Sequence, residues 1–422
     1  MSFVAHQPLR FTSAVTHGAR AIVARDIARA KKLLAGIQPH GPKAHHLPHL
    51  RIRHAHHQKH SQHPSTTPSS RSSAGETIDV TDAAVTYTTS VGVGNPATEY
   101  TLLIDTGSSN TWVGANTKYN PTSTSKSTGN SVTVSYGSGS FSGTEYTDRV
   151  ALSPSLVIQS QSIGVASTAQ GFNGVDGILG IGPVDLTEGT IGGKTPVPTV
   201  TDSLFKQGTI STESIGIFYQ PSTSSSAVAN GELTFGGIDT SKITGDVNYV
   251  PITSTSPASA YWGVDQDITY GSTGESILSS TAGIVDTGTT LVLIATGSLL
   301  LSAPHAFQKY QAATGATLDQ TTGLLTLTPS QFGNLQSLFF NIGGIQYELT
   351  PNAQIWPRSL NTQLGGNEGS IYLVVSDLGS PSGQGLDFIN GFTFLQRFYS
   401  VYDVTNSQVG LATTPFTDAE TN

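Results

Sequence analysis

The segment Leu103-Ile104-Asp105-Thr106-Gly107-Ser108-Ser109 recurs as Ile284-Val285-Asp286-Thr287-Gly288-Thr289-Thr290, with the two aspartates 181 positions apart. A single Asp-Thr-Gly in a chain this rich in Gly and Thr marks no more than a strand running into a turn, because Asp and Gly are ordinary turn residues. Two copies, each with apolar β-formers before and hydroxyl residues after, are not explained by turn chemistry. In each copy the apolar pair delivers the chain from a buried strand, and the aspartate follows where the strand ends. Gly107 and Gly288 permit a tight turn that brings main-chain amides to the carboxylate. Ser108 and Thr289 supply hydroxyl donors to the carboxylate oxygens, with Thr106 and Thr287 completing the two loops. If the loops are related by a pseudo-two-fold axis, Asp105 and Asp286 meet. Adjacent carboxylates do not readily ionise together, so they share one proton, one acting as base and the other as acid. Such a pair can deprotonate a water and protonate the carbonyl oxygen it attacks.

Composition removes the rival chemistries. The chain has 422 residues and no cysteine. Thiol nucleophiles, disulfides and Cys-based metal sites are therefore excluded. Eleven of the twelve histidines precede residue 64, leaving only His305 in the remainder. A Ser-His-Asp triad or a multi-His metal site there would rest on that one residue. Neither a metal nor a cofactor is expected.

The residues around this pair divide into a basic segment and an acidic body. Residues 1–75 carry eleven Lys and Arg against one acid, Asp26, whereas residues 76–422 carry nine against 27 acids. The two parts should attract each other at neutral pH. Around Ala19–Ala35, Ile22, Ile27, Leu33 and Leu34 alternate with Arg20, Arg25, Arg29, Lys31 and Lys32, which predicts a basic amphipathic helix. A His-rich stretch from His45 to His63 and a Ser/Thr/Pro linker over Pro64–Ser73 follow. From Val85 the pattern becomes that of short strands. Tyr87, Val91 and Val93 alternate with polar residues, Gly94-Asn95-Pro96 marks a turn, and Tyr100–Ile104 forms the next strand. Helices are expected at Thr201–Gln207, closed by Gly208, and leading into Ala306–Ala313. The uncharged run Thr287–Pro304 contains too many Gly, Ser and Thr for a membrane span, which needs about 20 predominantly apolar residues.

These motifs resemble the pepsin family of aspartic endopeptidases, and within it the polyporopepsin-like fungal enzymes, over essentially residues 80–415. Tyr136-Gly137-Ser138-Gly139-Ser140-Phe141-Ser142-Gly143 is similar to the family's flap hairpin. Tyr136 then matches the flap tyrosine, and Trp112 the tryptophan bonded to it. Asp176-Gly177-Ile178-Leu179-Gly180 resembles the element supporting the first loop. Gly231–Val250 resembles the interlobe segment, and Tyr399–Asp403 with Val409–Ala412 the C-terminal strands. The resemblance implies an all-β, bilobal fold: two β-barrel-like lobes with pseudo-two-fold symmetry and a central cleft. The expected division is a basic, His-rich propeptide and linker at 1–73, an N-terminal lobe at 74–241 and a C-terminal lobe at 242–422. It also implies polypeptide substrates held under the flap, with apolar side chains around the cut. The sequence departs from the family in three places. Asn390 and Phe392 flank Gly391 where an apolar residue and an Asp are usual, and Thr296–His305 reads as longer than the family's pattern.

On this reading the basic segment is a propeptide lying across the acidic cleft, with Lys31 or Lys32 opposite the carboxylates, and is removed by a cut near Arg71–Glu76. The N-terminus carries no recognisable secretory signal, yet the resemblance and the charge division imply a secreted or vacuolar enzyme. A monomer is expected, with no nucleic acid or membrane span. Three other readings compete: an inactive homologue that keeps the cleft, a glycoside hydrolase, whose carboxyl groups stand at least ~5 Å apart, and a nucleic-acid or membrane binder using the basic arm.

Overall fold

The computed structural model describes residues 18–36, 76–82, 87–137, 139–192, 196–224, 228–298 and 305–421. The His-rich stretch, the linker, the expected cut before Glu76, Ser138 and most of the long Thr296–His305 stretch (residues 299–304) lie outside them.

Within the described residues the chain is mostly strand. Two sheets carry the two loops. The larger runs, strand by strand, from Asn248–Pro251 through the C-terminal pair Gln408–Thr413 and Phe398–Asp403. It continues through Ser214–Tyr219, Val228–Phe235, Glu76–Asp82, Tyr87–Val93 and Thr98–Asp105 to Lys126–Ser135 at its far edge. It curls on itself, since Tyr87–Val93 also pairs with Ser140–Ala151. The second sheet is built from 263–390, with Gly263–Tyr270 and Glu275–Val285 at its centre. The expected hairpin is present as Tyr87–Val93 paired with Thr98–Asp105. Its alternation gives the pattern required of a half-buried strand, with Tyr100, Leu102 and Ile104 fully enclosed. The expected helices occur at Val200–Lys206 and Ala306–Thr314. The first is held by a Thr199/Asp202 capping box and ends before Gly208, which takes the left-handed conformation at φ 78°.

The two loops are built the same way. Thr98–Asp105 runs parallel to Gly177–Gly180, which returns antiparallel to Thr111–Val113. Glu275–Val285 runs parallel to Phe388–Asn390, which returns antiparallel to Val292–Ile294. Each aspartate thus leaves a strand clamped by the short strand beside it, and each loop turns back into the same sheet. Phe392 is accounted for by packing. Its ring lies 4.9 Å from Tyr87 in the apolar core, a position in which a carboxylate would be costly.

The predicted basic helix forms over Ala19–Leu34. It buries Ile22, Asp26, Arg29, Ala30 and Leu33, a stripe at the helical spacing, against Tyr261, Leu291, Leu364 and Leu378 among others. Its first amide donates to Leu364 O at 2.7 Å, and Tyr261 donates its hydroxyl to Leu33 O at 3.2 Å.

The two sheets are joined through the threonines of the loops. Thr106 N donates to Thr287 Oγ1 at 3.0 Å, Thr287 N donates to Thr106 Oγ1 at 2.9 Å, and Thr287 Oγ1 donates to Ile104 O at 3.0 Å. Both residues are buried. Thr287→Val keeps the shape but strands the Thr106 amide, and is expected to cost about 1–3 kcal/mol, the penalty of an unpaired buried donor. Thr287→Ser keeps the acceptor and should unfold close to the wild type in urea. Equal midpoints for the two variants would show that this joint contributes nothing.

Candidate active site

Both aspartates are inaccessible to solvent, and each is held by its own loop. Gly107 N donates to Asp105 Oδ1 at 3.0 Å, and Ser108 Oγ makes a very short bond to Asp105 Oδ2. In the second loop Gly288 N donates to Asp286 Oδ1 at 3.2 Å and Thr289 Oγ1 to Asp286 Oδ2 at 2.6 Å. The inner oxygen of each carboxylate takes an amide, and the outer one takes a hydroxyl. The glycines are required by crowding. A Cβ on Gly107 would stand 2.7 Å from Asp286 Oδ1, and one on Gly288 2.6 Å from Asp105 Oδ1. Each loop therefore needs a residue without a side chain where the other loop's carboxylate arrives.

The helix Ala19–Leu34 supplies the cation between them. Arg29 Nη2 donates to Asp105 Oδ1 at 2.5 Å and to Asp286 Oδ1 at 2.9 Å, while its Nε donates to Asp286 Oδ2 at 2.7 Å. One nitrogen thus bridges the two inner oxygens. Burial pushes the Asp286 carboxyl up, but Arg29 outweighs it and holds the group below the usual carboxylate range. Burial likewise works against the Arg29 charge, and the two carboxylates more than restore it.

This corrects the expectation for Lys31 or Lys32. Lys31 points outward and Lys32 is only half-buried, because both lie away from the stripe 22–26–29–30–33. The missed signal was in the periodicity itself, since Arg29 falls in register with Ile22 and Leu33. Two neighbours were also missed. Asp26 is fully buried, and its Oδ2 accepts from Thr290 N at 3.0 Å and Leu291 N at 2.9 Å. Burial raises its pKa, against the opposing charge of Arg25 and the two amides. Arg25 Nη2 donates to Thr290 Oγ1 at 2.5 Å.

Trp112 and Tyr136 are joined by a hydrogen bond. Lys126–Ser135 and Ser140–Ala151 form a hairpin, closed by Tyr136 N donating to Gly139 O at 2.7 Å. Trp112 Nε1 donates to Tyr136 Oη at 3.0 Å. The indole stacks on Phe141 at 4.2 Å and meets Phe172 edge-on at 4.8 Å, which fixes the donor's direction. Gly137 lies against the helix, and a Cβ there would come within 2.3 Å of the Arg29 Cα. Among the described residues no cluster of three or more His, Cys, Asp or Glu could hold a metal ion. No helix among them is long and apolar enough to cross a membrane.

Comparison with known proteins agrees with this geometry. Residues 86–414 match the family described as eukaryotic aspartyl protease. The chain is 63% identical over 351 residues to polyporopepsin of Irpex lacteus, covering 83% of this chain and 100% of that protein. It is 31% identical over 345 residues to pepsin A of Sus scrofa, covering 77% of this chain and 80% of that protein. The crystal structure of the aspartic proteinase from Irpex lacteus superposes with a TM-score of 0.79 at 62% identity, covering 83% of this chain and 100% of that one. The curled sheets are thus those of the bilobal pepsin fold, and nothing in these relatives favours the inactive or glycosidase readings. By its sequence, its fold and its paired Asp-Thr-Gly loops, the chain belongs to the eukaryotic aspartyl proteases and is an aspartic-type endopeptidase.

Proposed function

We propose that Asp105 and Asp286 are the catalytic pair, that Tyr136 with Gly137 and Ser138 closes over a bound peptide, and that residues 1–73 are a propeptide keeping the enzyme latent. The observation that carries this reading is the single Arg29 nitrogen shared by both carboxylates. The same approach that lets one guanidinium span the pair lets one water do so once the helix leaves. One carboxylate then takes a proton from that water, and the other gives its proton to the oxygen of the scissile carbonyl, so the charge on the pair is conserved through the step. This division of one proton is a behaviour already known for aspartic-protease dyads. Trp112 orients the Tyr136 hydroxyl, and burial keeps that phenol neutral at every working pH. Thr106, Ser108, Thr287 and Thr289 hold the carboxylates in place. The substrate is a polypeptide with apolar residues at the cut, as the aromatic wall of Phe141 and Phe172 beside Trp112 suits. The lobes divide near 241/242, and the working protein is a secreted or vacuolar monomer that binds no nucleic acid.

Latency follows from charge. A cation between two carboxylates favours their charged forms, whereas a free pair keeps one proton. The sign follows for Asp286. Its carboxyl is held down in the docked state, so its contribution to docking is present at neutral pH and is lost as acid protonates it. Asp26 acts oppositely. Its carboxyl is raised, so acid relieves a cost of docking there. Arg29 makes three charge-assisted bonds to the pair against the two amide bonds of Asp26, and the pair dominates. Acid therefore releases the helix, assisted by the charging of the histidines upstream of residue 64.

Five outcomes are expected. Precursor held at neutral pH stays intact and processes itself in acid, with cleavage near Arg71–Glu76 by terminal sequencing, and acid digestion of a denatured protein stops at saturating pepstatin. Asp105→Asn should abolish this self-processing, and equal processing of that variant with no other protease present sinks the autocatalytic reading. Arg29→Gln removes charge-assisted bonds and should move the midpoint of processing up by about one pH unit, the equivalent of ~1.4 kcal/mol. Lys31→Gln, on the outer face, should leave the midpoint where it is. An unchanged midpoint in Arg29→Gln would show that the guanidinium does not hold the helix.

A further inference from the structure

The two loops are near copies, but the layer beneath them is not. In the first sheet Ile104 lies opposite Leu179 and Asp105 opposite Gly180. In the second, Val285 lies opposite Asn390, so Leu179 and Asn390 hold equivalent positions, each opposite the residue that precedes an aspartate. The strands on the other side show the same correspondence. Thr88 is opposite Leu103 and Gly263 opposite Ile284, so Val91 in the first sheet corresponds to Gln266 in the second. Val91 and Leu179 are buried in the common apolar core. Their counterparts are both amides, equally buried, and bonded to each other. Asn390 Nδ2 donates to Gln266 Oε1 at 2.8 Å and Gln266 Nε2 donates to Asn390 Oδ1 at 3.3 Å. Two apolar residues in one half have become, together, a reciprocal amide pair in the other.

An amide pair is costly in such a place. Each side chain would lose its water without compensation if the other were absent. The pair also has one geometry, because two planar amides exchange two bonds only when coplanar, whereas Val against Leu tolerates sliding. Asn390 is tied to the active site through its own backbone, since its carbonyl accepts the Asp286 N–H at 3.1 Å. Fixing the Asn390 side chain therefore fixes the peptide from which Asp286 hangs. Neither amide reaches the carboxylate or the cleft, so the effect is on placement only.

We propose that Gln266 and Asn390 are positioning residues that lock the Asp286 loop in its working orientation, a role the first loop leaves to apolar packing. The inference rests on Asp286 being catalytic, and Asp286→Asn is included so that the two ideas fail separately. Loss of activity in Asp286→Asn upholds the assignment, and retained activity removes it together with the lock. The mature enzyme is assayed on a peptide substrate, with active sites counted by pepstatin titration. The double variant Gln266→Val/Asn390→Leu, which recreates the pair of the first sheet, should fold, with kcat per titrated site about tenfold lower and KM within about twofold. A loss of that size is what a sub-ångström displacement of a reacting group produces. The swapped pair Gln266→Asn/Asn390→Gln keeps both bonds and the combined length, and should recover most of kcat. Wild-type kcat in the apolar double variant, or a swapped pair no better than it, overturns the proposal and leaves the amides as core packing. If the double variant does not fold, Gln266→Met, which removes one partner at nearly constant shape, is read in the same way: reduced kcat at constant KM supports the lock, and unchanged kcat refutes it.

Discussion

The structure turns on a single electrostatic constraint, that two carboxylates brought together in a place without water cannot both stay charged unless a cation stands between them. The fold does everything needed to bring them together. It ends two buried strands at aspartates, clears the approach with Gly107 and Gly288, and supplies each carboxylate with one amide and one hydroxyl. Those neutral donors favour the charged form but do not cancel the repulsion. What occupies the space between the pair therefore decides its state. With Arg29 there, both carboxylates are bonded to one guanidinium. In the proposed working enzyme a water takes that place and the pair shares one proton.

The same constraint explains why the helix is at once basic and poor in acids. The one acid of the segment, Asp26, makes no hydrogen bond to Arg29: it accepts from the amides of Thr290 and Leu291 and stands 3.5 Å from Arg25, which leaves the guanidinium of Arg29 to the two aspartates. An arginine suits the position better than a lysine would. Its planar fork reaches both aspartates at once, and it does not discharge in any pH range the protein meets. In the proposed latency the response to acid therefore lies on the carboxylate side.

Symmetry and its breaking carry the rest. The threonine joint treats the two loops alike, each amide serving the other's hydroxyl. Beneath it the halves part, with Val91 and Leu179 on one side and Gln266 and Asn390 on the other. In the proposed reaction the two carboxylates do unlike things, and an unlike layer under one of them is a place where that difference can be built.

The sequence by itself determined the pair of aspartates, their loops and the strand type around them, because these are local patterns that repeat within a few residues. It also determined that a basic helix lies near the N-terminus, from the periodicity of its apolar residues, and that the body has no cysteine and the single histidine His305. The flap tyrosine and its tryptophan were legible only through family likeness, since nothing in the spacing of Trp112 and Tyr136 requires their bond. The periodicity already sets Arg29 on the apolar stripe with Ile22 and Leu33, but only tertiary structure brought that stripe to the carboxylates. The choice of Arg29 over Lys31 or Lys32 depends on the angle at which the helix docks, set by distant contacts with Tyr261, Leu291 and Leu364. It alone decided, too, that Asn390 is satisfied, because its partner lies 124 positions earlier in the chain. Short-range pattern determines what a segment can become, whereas a bond between remote residues exists only once the whole chain has brought them together.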